Sequence, residues 1–92
     1  MNAYKALAVS YDRLTNDVDY RAVVDFYQQI IDREGLRPRT VVDLACGTGS
    51  VSAILAEKGL TVTGVDMSEE MLTVACAKTA DMPNAPRFVC QK

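Results

Sequence analysis

The 92-residue sequence has no histidine, no tryptophan and only three cysteines. Cys46, Cys76 and Cys90 are odd in number and lack a C-x-x-C spacing, which argues against both a disulfide framework and a tetrahedral zinc site. No apolar run is long enough to span a bilayer, and the N-terminus lacks the continuous apolar core of a signal peptide. A net charge of −2 gives no general reason to expect nucleic acid or an anionic membrane as a partner. We therefore expect a cytoplasmic protein without a metal site.

A helical period dominates the first part of the chain. Residues 18–34 are predicted to form a helix with Asp17 as its N-cap, ended by Gly35 and Pro38. Residues 3–14 suggest a looser helix or an ordered arm. Periodicity predicts that one face of the main helix packs on the core. That face consists of Tyr20, Val23, Val24, Tyr27, Ile30 and Ile31.

From residue 40 the pattern changes to alternating strands and helices. Strands are predicted at 40–45 and 60–65, a third strand is predicted to begin with residues 87–90, and helices are predicted at 51–58 and 69–78, with Ser68 as N-cap of the second. This order predicts an α/β fold, a Rossmann-like doubly wound parallel sheet with its first three strands in the order 3-2-1.

The predicted sheet is truncated after about three strands. We interpret residues 1–39 as an N-terminal helical segment and 40–92 as the first part of a ligand-binding domain. The fourth strand, which normally flanks the first, is missing. We therefore expect Val41, Val42 and Leu44 to lie on an open edge that favours association with another chain.

The residues that follow the first two strands indicate a nucleoside site. Gly47 and Gly49 permit a tight strand-to-helix turn and close approach of the backbone to a ligand. The next helix directs its free N–H groups toward the same space, which suits a carboxylate or a phosphate. Asp66 ends the second strand, where a carboxylate can accept hydrogen bonds from both hydroxyls of a ribose.

Two residues distinguish between possible cofactors. A dinucleotide fingerprint places glycine where this chain has Ser52, and the charge of Asp43 would oppose a pyrophosphate. The same charge suits a ligand that carries an ammonium and a sulfonium, as S-adenosylmethionine does. A nicotinamide- or flavin-nucleotide-binding module remains the alternative.

Two motifs contain these residues: residues 42–49, VDLACGTG, and residues 65–72, VDMSEEML. Together they resemble the motifs of the class I, Rossmann-like S-adenosylmethionine-dependent methyltransferases. Residues 11–14 and 17–20 are similar to the N-terminal segment of one bacterial branch of that superfamily. Ala45 replaces a frequent glycine, and we expect an unstrained φ angle there.

The resemblance implies a set of cofactor-binding residues. The methionine end of the cofactor would be held by Asp43, Ala45, Gly47 and Gly49. Asp66 would bind the ribose, Met67 would pack on the adenine, and residues near Tyr11 and Tyr20 would close over the cofactor. In relatives the third strand leads to an acidic residue near the adenine amino group, where this chain has Lys92.

The activity implied is methyl transfer to a small-molecule acceptor, and no residue is assigned as a general base. Cys46 lies in the loop, but no histidine is present to activate it, and we interpret it as structural. The further alternative is a non-catalytic truncated product that associates with itself through its open edge.

Overall fold

A computed structural model describes residues 19–92 of the chain. The elements are α1 Tyr20–Arg33, β1 Thr40–Leu44, α2 Ser50–Glu57, β2 Thr61–Asp66, α3 Glu69–Thr79 and β3 Arg87–Cys90. Every predicted element in this range is confirmed, with ends that shift by one or two residues. The predicted arm at residues 3–14 lies outside the described range. In the range described, no helix combines the length and apolar character needed to cross a membrane.

Side-chain and backbone caps determine where the helices begin and end. The carboxylate of Asp19 accepts a hydrogen bond from the Ala22 amide at 3.0 Å, so α1 begins two residues later than predicted. A capping residue must directly precede the first helical turn, and the prediction of Asp17 is therefore wrong; Asp17 itself lies outside the described residues. The predicted cap Ser68 is confirmed, because its hydroxyl accepts from the Met71 amide at 3.2 Å.

The three strands form a parallel sheet in the order β1-β2-β3, which confirms the predicted order 3-2-1. Both crossovers step in the same direction, so right-handed connections place α2 and α3 on one face of the sheet. Val62 and Gly64 of the central strand are buried on that face. The hydrophobic core consists of Val24, Ile54, Ala56, Val62, Leu72 and Ala75.

Strand β1 forms one edge of the described sheet, as expected from the sequence. Val42 is 62% exposed and Leu44 is 74% exposed, whereas Val41 is half-buried. Side chains alternate between the two faces of a strand, so Val41 points to the covered face and the other two to the opposite face. All three residues thus lie on the edge strand, as predicted, and the side chains of Val42 and Leu44 are exposed on its uncovered face.

Helix α1 packs against α2 and contributes one residue, Val24, to the core. Arg21 forms an ion pair with Glu57 at 3.0 Å, and Asp25 forms one with Lys58 at 3.3 Å. Of the apolar face predicted to pack on the core, only Val24 is buried. The prediction is wrong for Val23, Tyr27 and Ile30, which are exposed. The reason is geometric: a helix that packs on one neighbouring helix buries a narrower strip than a helix that packs on a sheet.

Candidate cofactor site

Asp66 connects the loops that follow β1 and β2. Its Oδ2 accepts a hydrogen bond from the Gly47 amide at 2.8 Å, and its Oδ1 accepts one from the Ser68 amide at 3.0 Å. An ionised carboxylate offers about four acceptor directions. Each oxygen of Asp66 can therefore accept one more hydrogen bond, and two acceptors side by side match the two hydroxyls of a ribose. The carboxylate at this place was predicted from the sequence, but its bond to Gly47 was not.

The loop after β1 turns sharply through left-handed backbone conformations. Gly47 has φ +57°, Gly49 has φ +80°, and Ala45 has φ +56°. The expectation of an unstrained φ at Ala45 is therefore wrong. The Cys46 amide still bonds to the Val65 carbonyl at 3.0 Å, so the chain must leave the sheet and enter α2 within a few residues. Ala45 is the one non-glycine residue in the described range with a positive φ.

Ala45→Gly is expected to raise the free energy of unfolding by about 0.5–1 kcal/mol. Glycine removes the left-handed penalty of about 1–2 kcal/mol and adds about 0.5–1 kcal/mol of lost backbone entropy. Chemical denaturation followed by circular dichroism measures the change. Ala77→Gly, on the exposed side of α3, is the control and should lower stability by about 1 kcal/mol. Equal losses for both variants would contradict strain at Ala45.

Gly49 is required by packing within the protein. A Cβ atom at this position would lie 3.0 Å from Cβ of Ala75 and 3.0 Å from Cζ of Phe88. The close approach predicted here is therefore made to α3 and β3 of the same chain. Its direct contact with a cofactor stays a prediction. No sequence signal indicated that Phe88 packs against this loop, because the contact joins residues 39 positions apart.

Each of the two loops that Asp66 connects lines a cleft. The first has a volume of about 190 Å³ and is lined by Tyr20, Asp43, Ala45, Cys46, Thr48, Ser50 and Val51. The second has a volume of about 530 Å³ and is lined by Met67, Ser68, Glu69, Glu70 and Lys92. The fold thus brings Tyr20, Asp43 and Ala45 together, and it places Met67 apart from them. Tyr11 lies outside the described residues.

Asp43 has a buried partner that was not predicted from the sequence. The Ser52 hydroxyl donates to Oδ2 of Asp43 at 2.7 Å, and Ser52 is 0% exposed. Ser52 occupies the position where a dinucleotide fingerprint has glycine. Glycine at this position allows close packing of the helix on the strand, so the presence of a serine hydroxyl there was the one sequence signal that could have indicated this contact.

Helix α3 also contacts the loop through Lys78. Its Nζ donates to the hydroxyl of Ser50 at 3.2 Å and to that of Thr48 at 3.4 Å. Both hydroxyls belong to residues that line the first cleft, so this contact ties α3 to the wall of that cleft. Glu69 and Glu70 occupy the first turn of α3, where their negative charges interact favourably with the positive end of the helix dipole.

The thiol of Cys46 is held in its neutral form. Burial, together with the negative charges of Asp43 and Asp66, raises the pKa of Cys46 to about 11. A thiol becomes a nucleophile only when it loses its proton. The interpretation of Cys46 as a structural residue agrees with this environment.

No group of three or more potential metal-ligating side chains is found within residues 19–92.

Cys46 is expected to be alkylated by iodoacetamide at pH 8 about tenfold more slowly than an ordinary thiol. A pKa near 11 rather than 9.0 leaves about a hundredfold less thiolate. Part of this loss is offset because a more basic thiolate is more nucleophilic. Mass spectrometry of tryptic peptides separates Cys46 from the exposed Cys76, which is the internal control. Equal labelling rates would contradict the assigned environment.

Comparison with known proteins places this arrangement in a family. The methyltransferase domain family matches residues 41–92. A Geobacillus sp. protein named a putative methyltransferase is 41% identical over 76 residues, which are 82% of this chain and 31% of that protein. The crystal structure of an S-adenosylmethionine-dependent methyltransferase from Clostridium acetobutylicum ATCC 824 has a TM-score of 0.78 and 36% identity, and it covers 99% of this chain and 37% of that one.

Magnesium protoporphyrin IX methyltransferase from Synechocystis PCC 6803, solved with bound SAM, has a TM-score of 0.67 and 25% identity over all of this chain and 57% of that one. The chain thus spans about a third of the length of the first relatives it matches. The TM-scores show that the described fold agrees with that of these proteins. The chain belongs to the class I, Rossmann-like S-adenosylmethionine-dependent methyltransferases.

Proposed function

We propose that this chain is the cofactor-binding part of an enzyme that transfers a methyl group from S-adenosylmethionine to a small molecule. The observation that carries the proposal is the position of Asp66. Its carboxylate accepts a hydrogen bond from the loop after β1 and another from the loop after β2, and each of these loops lines one of the two clefts. In this proposal the cofactor, a nucleoside that carries an amino acid, extends from one of these loops to the other. We propose that Asp66 binds the ribose hydroxyls.

The charges around the first cleft suit the amino-acid end of the cofactor. Asp43 lines this cleft, and both Asp43 and Asp66 lie close enough to Cys46 to raise its pKa. Two carboxylates so close to the loop favour an ammonium and a sulfonium and oppose a pyrophosphate. The N-terminus of α2 can receive the carboxylate. We propose that Asp43, Ala45, Gly47 and Gly49 form this end of the site.

The second cleft suits the base. Met67 follows Asp66 directly, and its side chain is 69% exposed beside the cleft. A flexible, polarisable thioether packs well against an aromatic ring. We propose that Met67 covers one face of the adenine. We also propose that Tyr20, which lines the first cleft at the start of α1, covers the methionine end.

In this proposal the residues bind and align, and they form no covalent bond with the cofactor. S-adenosylmethionine supplies a methyl group that its sulfonium already activates. The loops and the two carboxylates hold that group in a fixed direction, and alignment of this kind lowers the barrier for in-line attack. We propose that the acceptor is a small molecule, as the name of the Synechocystis relative indicates for that protein. A net charge of −2 favours this over a nucleic acid.

The proposed domain division places an N-terminal helical segment at residues 1–39 and the first part of the cofactor domain at 40–92. The family match to residues 41–92 supports this boundary. A cytoplasmic location remains a prediction, and three unpaired thiols are compatible with a reducing compartment.

A second proposal concerns association between copies. The exposed Val42 and Leu44 lie on the edge strand of the described sheet. Apolar edge strands favour pairing with other strands. We propose that the 92-residue chain by itself associates through β1.

Isothermal titration of the purified chain with S-adenosylhomocysteine tests the proposed function, and light scattering on the same sample tests association. We expect saturable binding of one equivalent per chain. NADH serves as the competing probe, because a nicotinamide-nucleotide module would bind it instead. Binding of NADH without S-adenosylhomocysteine would overturn the proposal, and so would a folded chain that binds neither compound. A mass equal to one chain would overturn the proposed association.

A further inference from the structure

Ser52 and Asp43 form a buried polar pair behind the first cleft. We infer that Ser52 is a positioning residue that holds the Asp43 carboxylate in place for the cationic amino-acid end of the cofactor. This inference rests on the proposed function. It adds a residue that the family motifs do not assign here, and it explains why a serine occupies a position at which nucleotide-binding turns of similar shape have glycine.

The direction and length of the hydrogen bond support this role. An ionised carboxylate can only accept, so the Ser52 hydroxyl donates its proton toward Oδ2 of Asp43, at 2.7 Å. Hydrogen bonds to an ionised acceptor are shorter and stronger than bonds between neutral groups. One carboxylate oxygen is thereby fixed to α2. The rotation of the Asp43 side chain is restricted, and the remaining acceptor directions stay available.

Burial shows that Ser52 acts through Asp43. Ser52 is 0% exposed and does not line the first cleft, whereas Asp43 lines it. A ligand in the cleft can therefore contact Asp43 but not Ser52. Asp43 faces the helices because it pairs in register with the buried Gly64 of β2. The hydrogen-bond donor, the Ser52 hydroxyl, thus comes from helix α2, which belongs to the helical layer that the Asp43 side chain faces.

The competing interpretation is that Ser52 contributes only to folding. Every buried hydroxyl needs a partner, and Asp43 could serve simply as that partner. The two interpretations differ in which ligands are affected. A positioning role concerns only the end of the cofactor that carries the ammonium. A folding role would change the whole site, including the part around Asp66 and Met67.

Two probes separate these ends. S-adenosylhomocysteine carries the amino-acid end, and 5′-methylthioadenosine has the same nucleoside without it. We expect Ser52→Ala to weaken binding of S-adenosylhomocysteine by the full chain about tenfold, in the range of one hydrogen bond to a charged group. Binding of 5′-methylthioadenosine should change by less than about twofold, since Asp66 is untouched. Ser52→Thr, which restores a hydroxyl, should recover most of the loss.

Further variants protect the test against a change in folding. Ser52→Cys fills the space with a slightly larger thiol that is a weak donor, and it should reproduce the effect of alanine without a cavity. Thr79→Val is the matched control, because Thr79 is also buried, its hydroxyl donates to the Ala75 carbonyl at 2.9 Å, and neither residue lines one of the two clefts. It should leave the ratio of the two affinities unchanged.

A double-variant cycle tests whether Ser52 acts through Asp43. Asp43→Asn should itself weaken S-adenosylhomocysteine selectively, and Ser52→Ala should then add no further selective loss. Parallel losses for both probes, no loss at all, or a full additional loss on top of Asp43→Asn would each overturn the inference. In those three outcomes the unchanged chain still binds both probes, so the proposed function stands. If the unchanged chain binds neither probe, both the proposed function and this inference are overturned.

Discussion

Asp66→Asn is expected to lower the affinity of the chain for S-adenosylhomocysteine about a hundredfold, and Asp66→Ala to lower it further. The asparagine keeps the size of the side chain but loses one acceptor and the negative charge. Hydrogen bonds to a charged group contribute about 1.5–3 kcal/mol each, and about 1.4 kcal/mol corresponds to a factor of ten. Loss of one ribose hydrogen bond together with the bond to Gly47 or Ser68 accounts for the expected size.

Titration calorimetry with S-adenosylhomocysteine and with 5′-methylthioadenosine measures this effect. Both compounds contain the ribose, so both affinities should fall together, in contrast to the selective loss expected at Ser52. Asp81→Asn is the matched control, since Asp81 is an exposed carboxylate that lines neither proposed cleft. An affinity within about threefold of the unchanged chain for Asp66→Asn would show that this carboxylate organises the loops without holding the ligand.

Gly64→Ala is expected to lower the free energy of unfolding by about 2–3 kcal/mol, the upper part of the range for overpacking a core. A Cβ atom on this central strand would lie 2.7 Å from Cδ1 and 2.8 Å from Cε1 of Phe88, and 3.0 Å from Sγ of Cys46. The ring of Phe88 also meets Gly49, so it cannot move away without pressing on the loop. The methyl group therefore forces a rearrangement of β2, β3 or the loop.

The double variant Gly64→Ala with Phe88→Leu identifies the clash as the cause. In the leucine background we expect the alanine substitution to lower stability by about 1 kcal/mol or less, a coupling in the range known for residues in contact. Gly59→Ala is the control for backbone effects alone, because Gly59 has φ +93° with no atom within 4 Å of the added carbon. Its loss should be the same in both backgrounds. Equal losses for Gly64→Ala in both backgrounds would contradict the assignment to Phe88.

The local pattern of the sequence was sufficient for the elements and their order. The strand at Arg87–Cys90 begins where it was predicted, and Ser68 caps α3 as expected. Such features depend on residues within one or two turns of each other, which a sequence displays directly. The sheet order followed from the doubly wound fold that the alternation of strands and helices predicts.

The predictions were wrong where residues distant in the sequence determine the burial or the backbone conformation. The face of α1 was predicted to be buried, but its burial depends on which layer the helix joins, and periodicity carries no information on that. The φ angle of Ala45 is determined by the path from β1 into α2 while the loop stays bonded to Val65 of the next strand. Local preference alone would have placed an alanine in an ordinary conformation.

The sequence by itself predicted the chemical identity of the candidate site. Two glycines in the turn, Asp43 in the first strand and Asp66 at the end of the second were readable as a nucleoside site, because residue type and spacing along β-α-β units carry that information. Only the tertiary structure decided how these groups are held. Gly47 donates a hydrogen bond to Asp66, Ser52 donates one to Asp43, and Phe88 packs on Gly49. The register of the sheet and the packing of α2 and α3 on the sheet bring these residues together. Contacts of this kind depend on distances of a few tenths of an ångström between separate elements, and such distances exist only once the core has packed.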